Sequence, residues 1–449
     1  MGSVARDDDL VVLDGMADSN SGQTFRMAIT LSAITLKPVR IENIWGAKEP
    51  ASKRGMTASL VEIVKWFVET TDAHVEGNEV GSLHLEFRPK HRGHAKLIKK
   101  AIKVSSGSMT ASAALTFQTV FPLLLMIGGN RRGDKLFDLH IDGATNCPEA
   151  PSFEYLDQVF LPAIQSYFGI EVICKLIRRG WGQMTPGTVR KGTIRIKFRP
   201  LEAGSTIKLR EDAKLCEPDG ESLDTYVNKV VASIITPASM HDLLQEALTD
   251  DIESRFHGAD IVFKTVEDSG HCDRVYVLLV AHAQYCRWAR DTINLESLKD
   301  KDLDSFTKDL SSNLCKDLED EVNAEVGGEC LVDQFLQDQL VIFQTLAEGS
   351  SCFPRQSKGQ TPESSLKNLR SEISLVQDDL TECRENSTND SQHTLLARSV
   401  AQQMVLEAKF HNQGKICIGA GVKIGQGVVK EEENKQALEP QAFQAGVGH

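Results

Sequence analysis

The residues whose chemistry is plainest are cationic. Lys90, His91, Arg92, His94, Lys96, Lys99, Lys100 and Lys103 crowd one short stretch, and Arg131 with Arg132 and Arg178 with Arg179 add two smaller ones. Side chains of this kind hold phosphate oxygens, the guanidinium as a bidentate fork and the ammonium as a point charge. The plain alternative for each run is a solvated loop. Composition limits the first reading: 50 basic against 63 acidic residues leave a formal charge of −13, which argues against a surface that wraps nucleic acid on every side but leaves room for a local groove. The ten cysteines are scattered and none stands in a C-x-x-C arrangement, so reduced thiols and no metal site are expected.

The elements that must position these side chains show an internal repeat. Residues 81–89, GSLHLEFRP, return as residues 192–200, GTIRIKFRP. Both copies alternate apolar and polar residues as a half-buried strand does, and both stop at a proline, which cannot donate to a ladder. Ahead of the first copy lie a helix with Phe25, Ile29, Leu31 and Ile34 on its face, a strand over 39–44 and a helix around 60–69. The second copy is preceded by the same order: a helix around 113–125, a strand at 135–141 and a helix around 153–168. A third set has a helix at 333–346, another at 393–409 and a strand at 415–422.

The fold class that follows is α+β, three modules of two helices on a small sheet, with a smaller α/β domain inserted before the third module. The expected boundaries are residues 1–200 for modules one and two, 201–330 for the inserted domain, and 331–449 for the third module. Residues 351–391, poor in apolar side chains, read as a disordered insertion. The longest apolar run, residues 120–127, is broken by Pro122 and falls far short of the roughly 20 residues of a membrane span. The N-terminus lacks the pattern of a secretory signal, so the chain is expected in the nucleus (nucleoplasm) or the cytoplasm.

These residues resemble a known family. The segments that carry the likeness are residues 13–15 (LDG), Gly22 and Gln23 with Arg26, residues 31–44, residues 81–89, and Ser112 with Gln118, Thr119 and Pro122. Gly143 with Thr145 and Asn146, Ala150 with Pro151 and Tyr155, residues 159–162, Arg179 with Gly180, Val332 with Asp333, residues 336–340 (LQDQL) and His393 with Thr394 complete it. Together they are similar to the RNA 3'-terminal phosphate cyclases over roughly residues 10–200 and 325–425.

The resemblance implies an ATP-dependent enzyme acting on an RNA 3'-end. A histidine takes AMP from ATP, passes it to the terminal 3'-phosphate, and the neighbouring 2'-hydroxyl closes a 2',3'-cyclic phosphate. His393 matches the nucleophile; neutral imidazole is a good nucleophile near pH 7, and a helix start favours the phosphates. Phe335, Leu336, Gln337, Asp338 and Gln339 match a nucleotide-contacting stretch, with Phe335 suited to stacking on a base, and Gln118 matches a second contact. Arg26 is the expected substrate-phosphate ligand. Mg²⁺ or another divalent cation is implied by the pyrophosphate that leaves.

Several family motifs are altered. The family's Glu-Gly-Gly-Gly-Gln is Ser19, Asn20, Ser21, Gly22, Gln23, its Gln-His falls at Ala58 and Ser59, and the turn before residue 113 reads Ser108 to Ser112 without glycine. An alternative therefore stands beside the enzyme: a catalytically weak or inactive cyclase-like protein that binds RNA or acts as a scaffold in RNA processing or ribosome assembly. An enolpyruvyl transferase, also built of repeated modules, is more remote.

Overall fold

The computed structural model describes residues 9–16, 22–93, 102–108, 111–128, 136–182, 191–210, 226–284, 286–299, 301–325, 332–353, 391–411, 414 and 416–424. It is an α+β fold of four small sheets and the helices packed on them.

The first sheet comprises β1 (Val11–Asp14), β2 (Val39–Glu42), β3 (His74–Glu76) and β4 (Leu85–Arg88). They lie in the order β1-β2-β4-β3, with β1 parallel to β2 and the other pairs antiparallel. Between β1 and β2 runs α1 (Gln23–Thr35), buried on nearly every side, Thr24, Thr30 and Ser32 included. Thr30 Oγ1 resolves its own burial by lying 2.8 Å from both the Arg26 and Thr119 carbonyl oxygens, which ties α1 to the helix beside it. The helix stops at Leu36, in the left-handed region at φ 63°, because Pro38 keeps the chain from continuing as helix. Next comes α2 (Ala58–Thr71), capped by the Thr57 hydroxyl on Leu60 N at 3.3 Å.

The second sheet repeats this plan. Its strands β5 (Ile102–Ser105), β6 (Phe137–Gly143), β7 (Val172–Arg178) and β8 (Gly192–Phe198) run in the order β5-β6-β8-β7, again with only the first pair parallel. The two repeat-bearing strands, β4 and β8, hold the same third place. They differ in length: β8 uses the whole pattern, whereas β4 begins only at Leu85. Residues 81 and 82 pair instead with the loop at Met56, whose N–H donates to Ser82 O and whose carbonyl accepts from Gly81 N, both at 2.8 Å. Gly55 makes that contact possible, since at φ 82° a Cβ there would lie 2.5 Å from the Gly81 oxygen.

On the second sheet pack α3 (Ala113–Met126) and a helical rod made of α4 (Phe153–Tyr155), a π turn (Leu156–Phe160) and α5 (Leu161–Phe168), where the sequence pattern predicted one plain helix. A third sheet follows, β9 (Lys229–Thr236), β10 (Asp260–Asp268), β11 (Val275–His282) and β12 (Arg287–Asn294), in the order β10-β9-β11-β12. Helices α6 (His241–Arg255) and α7 (Leu303–Glu325) pack on one face of it, and the π turn of the second module meets the other through Gln158, whose amide donates to Ser233 Oγ at 2.8 Å. Burial on both faces is why β9 and β11 read as continuous apolar runs.

The last part contains α8 (Gln334–Leu346), α9 (Gln392–Met404) and an antiparallel sheet of β13 (Glu348–Cys352), β14 (Lys409–His411) and β15 (Ile416–Ala420), ordered β13-β15-β14. The helix expected over 393–409 ends at Met404, because the chain turns to enter β14. The expected disordered stretch is also trimmed. Ser351 and Cys352 belong to β13, Phe353 packs its buried ring 4.7 Å from Tyr167, and Ser391 caps α9; residues 354–390 lie outside the described residues.

Candidate functional site

The start of α8 gathers the expected residues. Asp333 caps the helix: its Oδ1 accepts from Phe335 N at 2.9 Å and Leu336 N at 2.8 Å, and also from the Tyr155 hydroxyl at 2.8 Å. Its Oδ2 is buried without a hydrogen-bond partner among the described residues. Burial and the charge of Glu321 push this carboxyl up to about 6, against the pull of the Tyr155 hydroxyl.

Within the helix, Phe335, Asp338 and Gln339 stand at i, i+3 and i+4 and therefore share one face. Phe335 is 47% exposed, enough for its ring to stack on a flat ligand. Gln339 donates to the Phe335 carbonyl at 2.6 Å and accepts from the Gln118 amide of α3, so the two glutamines expected to meet a nucleotide meet each other. Pro122, four residues past Gln118 and inside α3, cannot donate to the Gln118 carbonyl as other residues of the helix would.

Asp338 is half-buried. Burial pushes its carboxyl up to about 7; the charge of Arg26 on α1 pulls it back, and Asp333 adds to the rise. Arg26 itself takes Gln23 Oε1 at 3.0 Å. A carboxylate held near neutrality beside a guanidinium is suited to a divalent cation, which would draw its proton off.

His393 occupies the first turn of α9, exposed, two residues after Ser391, whose hydroxyl accepts from Thr394 N at 3.1 Å. That helix packs against both α1 and α8, the elements that carry Arg26 and Phe335. Leu336 and Gln337 are placed differently. Both are buried on the core side of α8, and the Gln337 amide donates to the Phe353 carbonyl at 3.3 Å.

Residues from β12 and α7 complete the frame and carry no sequence signal of their own. The Arg290 guanidinium sits 5.1 Å from the centre of the Phe335 ring and pairs with Glu321, whose other oxygen accepts from Gln334 N at 2.8 Å. Phe335 is thus held by its ring and by the backbone on either side.

The cationic runs divide. Arg179 is not available to phosphate: it bonds Glu154 and Glu267 at 2.8 Å and Asn146 at 2.7 Å, and although burial opposes its charge, the two carboxylates carry its pKa above the ordinary value. Lys90 pairs with Asp72 at 3.0 Å and Arg92 donates to the Lys423 carbonyl at 2.6 Å. His94, Lys96, Lys99, Lys100, Arg131 and Arg132 lie outside the described residues. His271, Cys272 and Asp273 bring ligand-type atoms within 4.8 Å of one another on the β10–β11 turn. Those atoms already serve the turn, Nδ1 accepting from Asp273 N at 3.2 Å and Asp273 Oδ1 from Leu298 N at 3.2 Å. Among the described residues no helix is long and apolar enough to cross a membrane.

Comparison with known proteins finds relatives of one name. The chain is 32% identical over 194 residues to the RNA 3'-terminal phosphate cyclase of Desulfurococcus amylolyticus, covering 43% of this chain and 50% of that one. It is 32% identical over 172 residues to the protein of that name from Staphylothermus marinus, with 38% and 44% covered. These matches span about half the length of the relatives. The likeness to the Korarchaeum cryptofilum protein of the same name is longer, 26% over 345 residues, 76% of this chain and 86% of that one. The sequence model of the same family matches residues 18–372, a span from α1 through β13 that ends before α9, and with that match the chain belongs to the RNA 3'-terminal phosphate cyclase family.

Proposed function

We propose that the protein uses ATP to convert an RNA 3'-terminal phosphate to a 2',3'-cyclic phosphate through AMP carried on His393. The observation that supports this most is convergence: Arg26 of α1, Gln118 of α3 and Phe335, Asp338 and Gln339 of α8 meet at one place, and the helix presenting an exposed His393 packs against two of those three elements. The family name carries the coarser part of the proposal, the match with RNA and its 3'-end.

In this reading an imidazole nitrogen of His393 attacks the α-phosphorus of ATP; a P–N bond forms as the P–O bond to pyrophosphate breaks. A terminal phosphate oxygen of the RNA then takes the AMP, breaking the P–N bond and restoring the imidazole. The 2'-hydroxyl attacks the activated 3'-phosphorus, AMP leaves, and the hydroxyl proton goes to solvent or a neighbouring base. Phe335 offers its ring to the base, Arg26 a guanidinium to phosphate, and Asp338 a carboxylate to Mg²⁺, which would offset the charge on the leaving pyrophosphate. The test is an RNA carrying a labelled 3'-phosphate: with ATP, the label should become resistant to phosphatase, and a label that stays phosphatase-sensitive contradicts the proposal.

A second reading, an RNA-binding scaffold without turnover, is favoured by one observation. Where the family has a glycine-rich turn, the Trp45 indole lies over Gly22, with its Cζ2 3.3 Å from where a Cβ would stand, and Lys48 sits 3.7 Å from the centre of the Trp45 ring. RNA binding that persists with no phosphatase-resistant product would select it.

A further inference from the structure

We propose that Lys229, His282 and Arg287 form a phosphate-binding site at the rim where the β9–β12 sheet meets the second module, apart from the residues gathered around α8. In the ladders Lys229 of β9 and Arg287 of β12 each stand directly opposite His282 of β11, so the three form one row across the sheet. Directly opposed residues project from the same face. It is the face that meets the 152–160 segment: in the same alternation Ser233 accepts from Gln158 and Tyr276 bonds Ser152 at 2.6 Å, while Arg287 Nη1 reaches the Gln158 carbonyl at 3.3 Å.

The row carries one acid, Asp260 of β10, which stands opposite Lys229 in the ladder but is exposed and forms no ion pair among the described residues. Among the described residues neither Lys229 nor Arg287 forms an ion pair, and the nearby Lys264 is occupied by Asp157 at 2.7 Å. Burial pushes the His282 imidazole down to about 4, and the charges acting on it, Arg287, Lys229 and Lys264, are all positive. Arg287 is likewise lowered by burial, with only the Tyr167 hydroxyl group offsetting it. Lys229 and Arg287 therefore flank, from the strands on either side, an imidazole that burial and their charges keep neutral, and two partly buried like charges without a counter-ion between them are unfavourable. An oxyanion removes that conflict: the guanidinium and ammonium donate to it, and His282 can then take up a proton and add a third charged donor. Phosphate, with several acceptor oxygens, matches three convergent donors. Its source is either a free or terminal phosphate or a diester of an RNA strand.

The experiment follows the His282 ring by NMR in the full chain, across pH, with inorganic phosphate and separately with an oligoribonucleotide bearing only hydroxyl ends. Phosphate should raise the His282 pKa toward the ordinary histidine range. A similar rise with the oligonucleotide assigns the site to the strand, and a rise with phosphate alone assigns it to monoesters or the free ion. Arg287→Gln and Lys229→Gln should each weaken the response about tenfold, the loss of one charge-assisted contact. Neither should lower the unfolding temperature in phosphate-free buffer, since each relieves repulsion. A His282 pKa unmoved by both ligands, or variants that bind phosphate as wild type does, overturns the proposal.

Discussion

Two arginines cross the contact between the second module and the β9–β12 sheet in opposite directions, and their surroundings differ completely. Arg179, from the end of β7, reaches Glu267 on β10 and gathers Glu154 and Asn146, so its side chain is only 10% exposed yet strongly charged. Arg287, from β12, reaches back to the π turn and finds one carbonyl, and its pKa falls. The first is a fastener whose bonds are filled from within the chain. The second has a carbonyl and no carboxylate as its partner, which is the basis for proposing an anion beside it. The comparison teaches that an arginine pair or run in a sequence says little about phosphate until the carboxylates around each guanidinium are known.

The comparison is broken most severely by Arg179→Ala. That change leaves Glu154 buried and unpaired, and urea unfolding should show a loss of about 3–5 kcal/mol. A loss below about 1 kcal/mol would mean that Arg179 is no more a fastener than Arg287.

A smaller effect extends the contrast to acids. Burial raises Asp338 to about 7 and Asp333 to about 6 from an ordinary value of 3.8. The native state therefore holds protons that the unfolded chain has released, and stability should fall as pH rises from about 4 to 7. Asp338→Asn should raise stability at pH 8 by about 1 kcal/mol after solvent screening and change it little at pH 4. An equal gain at both values would contradict the assignment.

The stacking of Arg290 on the Phe335 ring is weaker again, and it is read in ATP affinity because stability would also register the loss of the cation beside buried Glu321. A cation stacked on an aromatic ring contributes about 0.5–1 kcal/mol at a partly exposed site. Arg290→Gln should accordingly raise the dissociation constant for ATP about 2–5-fold, with Arg290→Lys intermediate, measured by calorimetry. Unchanged affinity would show that the Phe335 ring needs no support from β12. The smallest shift belongs to Arg287→Gln, within about 0.5 kcal/mol of wild type in phosphate-free buffer.

Much of this was legible in the sequence. The strand repeat gave two sheets of identical order, because alternation and a terminal proline act locally. The shortening of β4 was not legible, since it depends on Met56 taking the rungs that residues 81 and 82 would have used. The 335–339 run reads as a block in the sequence, yet helical periodicity separates Phe335, Asp338 and Gln339 from the buried Leu336 and Gln337, and that signal is present in the spacing. Arg290 and Glu321 could not be found this way: their role comes from β12 and α7 packing beside α8. The same holds for the His282 row, which exists only once three strands are in register.

The central claim is that His393 carries AMP. Incubation with α-labelled ATP and Mg²⁺ should place acid-labile, alkali-stable label on the wild-type protein, weakly given the altered glycine turn near Gly22, and none on His393→Ala or His393→Asn, neither of which offers a nucleophilic ring nitrogen. Both variants should unfold like wild type, because the side chain is exposed. Wild-type protein that binds ATP but never acquires label, or a His393→Ala variant that labels equally, would contradict the account and leave the scaffold reading in its place.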